Sequence, residues 1–345
     1  MPQAPRSIAV VLLSAIGDVV HGMPIVTSLK QAWPEARITW VIQPVAHALV
    51  EPHPDVDEYI VFDRAAGARG FRDFRSRVAG RRFDLVVALQ VYLKAGVLTA
   101  MLDSPRKLGF DRRRARDFNW LFTSERIPPH EPQHVQDQYF EFLQHLGVEP
   151  VHEWRFEFNQ AENEARQAFF DEIERPALAV VVGTTRPGKN WFPERYARVL
   201  EVAEAELGLQ SVIVGSEHPV ELKAAREVTE STKARPILAL RNDLRRLAWL
   251  LDGSALLLSP DTGPLHMAAA LETPVIGLYG YTDPKRVGPY RGPRELIIDR
   301  FTRPGEVVPN AEVRHGNMEK IEVDDVLEKL ELAVRDFVPG DPPPA

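Results

Sequence analysis

A β-rich apolar run, a short turn holding Gly and Asp, and a helix occur near the start of the chain and recur in similar form past its middle. This doubled pattern restricts the fold more than any other feature. Ile8–Leu13 leads through the loop 14–22 into a helix near Asp18–Ala32 and a strand near Arg37–Ile42, which is a βαβ unit. Strands are predicted next at Glu58–Phe62 and Leu85–Leu89, with helices at Phe71–Val78, Tyr92–Leu102 and Val135–Leu146, the last closed by Gly147. Periodicity is lost from Gly147 to Gln160, which marks a linker there or slightly later. The alternation then restarts, with strands at Ala177–Val182, Ser211–Val214, Ala255–Ser259 and Val275–Tyr279 and helices at Pro193–Leu207, Val220–Glu230, Leu244–Asp252 and Leu265–Leu271. Strands alternating with helices imply parallel sheets covered on both faces. The reading is an α/β protein of two Rossmann-like domains facing across a central cleft. Residues 1–160 form the first domain and 161–322 the second; a helix at 323–338 has the option of packing back on the first, and a Pro-rich tail at 339–345 is expected to be disordered.

The length of 345 residues suits two domains with sizeable cores, and the absence of cysteine excludes disulfides, thiolate catalysis and Cys-ligated metals. No metal and no cofactor is expected. Asp18 interrupts the N-terminal apolar stretch and no run approaches the roughly 20 residues a spanning helix needs, so a cytoplasmic protein is expected, at most peripheral on a membrane. The net charge of −7 is uneven: from Arg64 to Arg126 there are 15 Lys and Arg against 6 Asp and Glu, a local balance of +9. That region is either a solvated arginine-rich face or a surface for a polyanion. Nucleic acid is the weaker partner, because no aromatic–basic module accompanies the charge.

Ligands in open parallel sheets bind beyond the carboxyl ends of strands, so the informative loops are those leaving strands. In "SAIGDVVHG" Gly17 lets a ligand approach. Asp18 either caps the following helix or takes a proton from an attacking hydroxyl, and His21 lies one turn on, to orient it or to pack. In "VVGTTRPGKNWFPERYARVL" Thr184, Thr185, two glycines and Lys189 suit a phosphate, without the spacing of a P-loop; a polar surface loop is the plainer reading. In "SPDTGPLHMAAA" Gly263 and Pro264 open a helix whose free N–H groups attract anions. Thr262 and His266 flank that start, and Asp261, which would repel a phosphate, is expected to cap its own turn. G-x-G-x-x-G, G-x-S-x-G and H-E-x-x-H are all missing, which removes support for nicotinamide, hydrolase and zinc-protease readings.

With these loops placed, the sequence resembles the bacterial lipopolysaccharide heptosyltransferases, glycosyltransferase family nine. The likeness rests on the first loop with its helix and next strand, on the middle loop, and on "LLLSPDTGPLHMAAALETPVIGLYGYTDPKRVGPY". The first segment is similar to the type that adds the first heptose. The resemblance implies the GT-B architecture and inverting transfer of heptose from ADP-L-glycero-D-manno-heptose to Kdo-bearing lipid A at the inner face of the cytoplasmic membrane. It further implies Asp18 as general base and Lys189 as stabiliser of the leaving diphosphate. Thr184, Thr185, Asp261, Thr262, Gly263 and His266 join Lys189 at the donor, with Glu221 at its ribose. Gly17, His21, Lys94 and Arg116 lie at the acceptor. Pro187, Gly188 and Phe192 depart from the family pattern, which leaves the donor sugar open. A GT-B-type nucleotide-sugar epimerase, or a family member using another donor, is the alternative, and a two-domain ligand-binding protein without catalysis is a more distant one.

Overall fold

A computed structural model describes residues 4–338. The described residues divide into two units, 4–131 with 135–157, and 132–134 with 158–338. Each unit is built on one six-stranded sheet, and every pairing within it is parallel.

In the first unit the strands are β1 (Ser7–Val11), β2 (Arg37–Ile42), β3 (Glu58–Val61), β4 (Leu85–Ala88), β5 (Lys107–Gly109) and β6 (Glu125–Arg126). Their spatial order is β3-β2-β1-β4-β5-β6. In the second they are β7 (Ala177–Val180), β8 (Gln210–Ile213), β9 (Ile237–Leu238), β10 (Leu256–Pro260), β11 (Val275–Tyr279) and β12 (Ile297–Asp299). The order there is β12-β11-β10-β7-β8-β9. Both orders are the doubly wound 3-2-1-4-5-6 arrangement, in which the connection reverses between the first and fourth strands. The reversal opens a crevice at the carboxyl ends of β1 and β4 in one unit and of β7 and β10 in the other.

The inner strands are continuous apolar runs because helices cover both faces. β4 and β7 are buried along their whole length, as are all but the first residues of β1 and β2. The helix Ile16–Ala32 is buried from Val19 through Leu29 and lies close on the sheet. Gly22 permits that approach: a Cβ there would fall 2.4 Å from the Leu12 side chain and 3.3 Å from the Trp40 ring. Trp40 in turn donates its indole N–H to the Leu12 carbonyl (3.1 Å), pinning β1 to β2.

The last helix, Val323–Phe337, packs in the second unit's own core through Val326, Leu330 and Ala333, against the helix Pro193–Ala205. Val326, Leu330 and Ala333 form the buried side of its apolar stripe. In the arginine-rich helix Ala68–Val78, Phe74 and Val78 are buried in the first unit's core and Phe71 packs against Phe62 at 5.0 Å. Its apolar side therefore faces inward, and its arginines face solvent together with Ala68, Asp73 and Ser76. The tail expectation for 339–345 lies outside the described residues.

Candidate functional site

Nearly all the residues singled out from sequence fall at the carboxyl ends of strands, and most surround the two reversal points. Gly17 and Asp18 follow β1, and Lys94 follows β4. Thr184, Thr185 and Lys189 follow β7, and Asp261 to His266 close β10 and open the next helix.

At the first reversal, Asp18 is the third residue of the helix Ile16–Ala32 and is half-buried. Its Oδ2 accepts the Ala15 backbone N–H at 3.1 Å. The carboxylate thus holds the turn that presents it. Gln90, just past β4, holds the same turn from the other side. Its amide oxygen accepts the Leu13 N–H (3.1 Å) and its amide nitrogen donates to the Ser14 carbonyl. Gln90 was not read from the sequence, although a polar residue ending the run "LVVALQ" was the available signal. His21, expected among the acceptor contacts, is only 4% exposed. Its Nδ1 lies 2.8 Å from Gln136 Oε1 and its carbonyl accepts from Gln136 Nε2 at 3.0 Å. Burial leaves it no surface for an acceptor, and it ties its helix to the helix Val135–Leu146.

Lys94 and Arg116 are both exposed, and one clasp brings their segments together. The Arg116 N–H donates to the Val91 carbonyl (2.8 Å), and its guanidinium stands 5.9 Å from the centre of the Tyr92 ring. Asn119 donates its side-chain amide to the Tyr92 carbonyl at 2.7 Å.

The second reversal is built differently. Lys189 Nζ lies 2.6 Å from Asp261 Oδ2 and 2.8 Å from the Asp261 carbonyl oxygen. Thr282 Oγ1 donates to the same Oδ2 at 2.7 Å, and His266 Nε2 lies 3.4 Å from Oδ1. Asp261 therefore does not cap its own turn, as expected, but forms the hub of a buried cluster. A carboxylate removed from water gains most from a cation, and Lys189 reaches it from the loop that follows the neighbouring strand β7. Burial by itself would raise the Asp261 carboxyl. Hydrogen bonding by His266 and the charge of Lys189 outweigh that and hold it well below the usual carboxylate range. Thr262 occupies the cap position, but its hydroxyl pairs with Ser259 Oγ at 2.9 Å rather than with the helix. The first turn of Gly263–Ala270 thus takes no side-chain cap from Thr262.

The loop after β7 is folded on itself. Asn190 Oδ1 accepts the Thr184 N–H (2.8 Å), and the Thr184 hydroxyl donates to the Arg186 carbonyl (2.9 Å). This buries Thr184 and leaves Thr185 exposed. Asn190 and Thr282 both stood in quoted motifs but carried no assigned role. Beyond β8, Gly215 adopts φ +149°, and Glu221 Oε2 accepts the Ser216 N–H at 2.7 Å. A Cβ on Gly215 would lie 2.7 Å from that oxygen, so the glycine is what allows Glu221 to fold back onto the loop. Among the described residues no group of three or more His, Asp or Glu is placed to hold a metal ion.

The family model described as glycosyltransferase family 9 (heptosyltransferase) matches residues 71–303. The chain belongs to this family. The match spans the loops that follow β7 and β10 of the family 9 chain and begins after Asp18. Over 339 residues the chain is 27% identical to the lipopolysaccharide core heptosyltransferase OpsX of Haemophilus influenzae, covering 95% of this chain and 97% of that one. It is likewise 27% identical to lipopolysaccharide heptosyltransferase 1 of Escherichia coli, covering 85% and 95% of the two chains. The E. coli heptosyltransferase WaaC, solved with ADP, superposes with a TM-score of 0.73 at 23% identity, over 95% of this chain and 99% of that one. The same enzyme solved with ADP-2-deoxy-2-fluoro heptose gives 0.70 at 22%, over 94% and 99%. Two doubly wound units with this neighbour establish the GT-B fold, and family 9 membership makes the protein a glycosyltransferase.

Proposed function

We propose that the protein transfers L-glycero-D-manno-heptose from ADP-heptose, with inversion, to the Kdo of the lipopolysaccharide inner core. The observation that carries this reading is the pair of reversal points, one bearing a carboxylate, the other a cation and an open helix start. A nucleoside diphosphate leaving group gathers negative charge on its oxygens. Fixed donors aimed there lower the barrier, one good donor by about 3–4 kcal/mol in comparable sites. Lys189 and the first turn of Gly263–Ala270, with Thr184, Thr185 and Thr262, fit that task. Glu221 suits the ribose hydroxyls, and Asp261 holds Lys189 in position.

Asp18 takes the proton from the acceptor hydroxyl as its oxygen attacks the anomeric carbon. The bond from that carbon to the diphosphate oxygen breaks on the opposite face, and ADP departs with the electron pair. Lys94 and Arg116 suit the carboxylate and phosphate groups of the acceptor. No described helix is long and apolar enough to cross a membrane, so a lipid-borne acceptor would be met at the membrane surface.

The test compares binding of ADP, UDP and GDP by calorimetry and then follows ADP-heptose with a Kdo-bearing lipid acceptor. ADP is expected to bind best, and a heptose is added to the acceptor. Conversion of the donor sugar without any acceptor would instead favour the epimerase reading.

A further inference from the structure

The first unit carries, beside its reversal point, a surface that extends past Lys94 and Arg116 to side chains with no part in the transfer chemistry. Residues 91–94 and 111–122 are clasped by the Arg116 and Asn119 bonds already described, and Gly96 leaves room for the Phe122 ring against the helix Leu93–Met101. The clasp turns large apolar side chains outward: Phe118 is 69% exposed, Leu121 60%, Tyr92 50% and Leu93 44%. Elsewhere in the described part of this unit only Val45 is a large apolar residue of comparable exposure. Asp117 and Phe118 take φ of +50° and +57°, a conformation that bulky residues avoid and that folding retains only where surroundings impose it.

The charges around these residues are nearly all of one sign. Arg112 stacks over the Trp120 ring at 4.3 Å, and Arg113 makes only a long, exposed pair with Glu131 (3.6 Å). Arg114 is spent internally on Asp111 and Glu141. Asp117 is the one exposed carboxylate within the two segments.

We propose that this patch docks on an anionic phospholipid bilayer, with Phe118 and Leu121 entering between headgroups and Arg112 and Arg113 resting on their phosphates. Exposed apolar side chains beside arginines, with a Trp and a Tyr in the same two segments, match the chemistry of such an interface. A second copy of the chain would need acidic groups opposite, which a patch of one sign does not offer itself. The idea draws its purpose from the reading of a lipid-borne acceptor, but its test uses neither donor nor acceptor and so fails or stands separately.

The full chain is sedimented with vesicles of phosphatidylethanolamine and phosphatidylglycerol, and with phosphatidylcholine vesicles alone. Binding to the anionic vesicles is expected to be about tenfold tighter or more. F118S/L121S is expected to weaken it by at least about tenfold at both low and high salt, and R112S/R113S only at low salt. Unchanged thermal melting and far-ultraviolet circular dichroism would show both variants folded. Sedimentation of F118S/L121S like the parent chain overturns the proposal, as does loss of a dimer in place of loss of vesicle binding.

Discussion

The two reversal points stand at equivalent places in sheets of the same topology, yet they are held in different ways. At the first, Asp18 is half-buried and its loop is fixed by neutral amides, those of Gln90 on one side and the chain's own Ala15 N–H on the other. At the second, the charges themselves are buried, and Lys189, Asp261, His266 and Thr282 hold one another. A carboxylate that must exchange protons with an incoming hydroxyl needs access. A cradle for a doubly charged leaving group gains from being dry and fixed beforehand. The contrast predicts that changes at the first point disturb turnover alone, while changes at the second disturb stability and ligand binding together.

The largest expected effect is Asp18→Asn, which removes the proposed base and should lower kcat by about 10²–10⁴-fold with little change in melting temperature. Turnover near that of the parent enzyme would break the comparison at its first term. Next comes Lys189→Met, which strands a buried carboxylate and should cost roughly 3–5 kcal/mol of stability in a denaturant titration. The double variant K189M/D261N should recover most of that stability. Recovery of stability without recovery of ADP affinity would separate the structural role of Lys189 from its role at the donor.

Acid should reach the two units in different windows. His53, in the first unit, is buried, and burial pushes its imidazole down to about 4 from an ordinary 6.5, against the pull of Asp55. Unfolded, it takes up a proton below 6.5; folded, it does so only near 4, so stability falls as pH drops between those values. The loss is up to about 3 kcal/mol, and His53→Gln should flatten it. Asp261 acts lower. Its carboxyl stays ionised in the fold, so its contribution is intact above the ordinary carboxylate range and is lost only as pH falls below it. The same loss window in the parent chain and in His53→Gln would contradict this assignment. The smallest effect is Thr282→Val, which deletes one hydrogen bond to Asp261 and should cost about 1 kcal/mol, with a few-fold rise in the Kd for ADP.

Much of this was legible in the chain because the long inner strands and amphipathic helices display their period. β2 and β11 carry the predicted bounds, and β1, β4, β7 and β10 lie within a few residues of theirs. β5, β6, β9 and β12 escaped because two or three residues at or near a sheet edge cannot show alternation. The short helix Pro44–Val50 and the helix Gln160–Asp171, which has no buried residue, showed too weak an apolar face to be read. At the site, the loops were visible through their Gly, Asp, Thr and Lys content. The pairing of Lys189 with Asp261 was not, since 72 residues separate them and only the adjacency of β7 and β10 brings them together. The same holds for Gln90 and Ser14, and for His21 and Gln136.

The division of labour between the two points is tested most directly by titrating ADP, in one calorimetric series, into the parent enzyme, D18N and K189M. The account predicts that D18N binds ADP within about twofold of the parent and that K189M binds it at least about tenfold more weakly. Weakened binding in D18N with unchanged binding in K189M would contradict it.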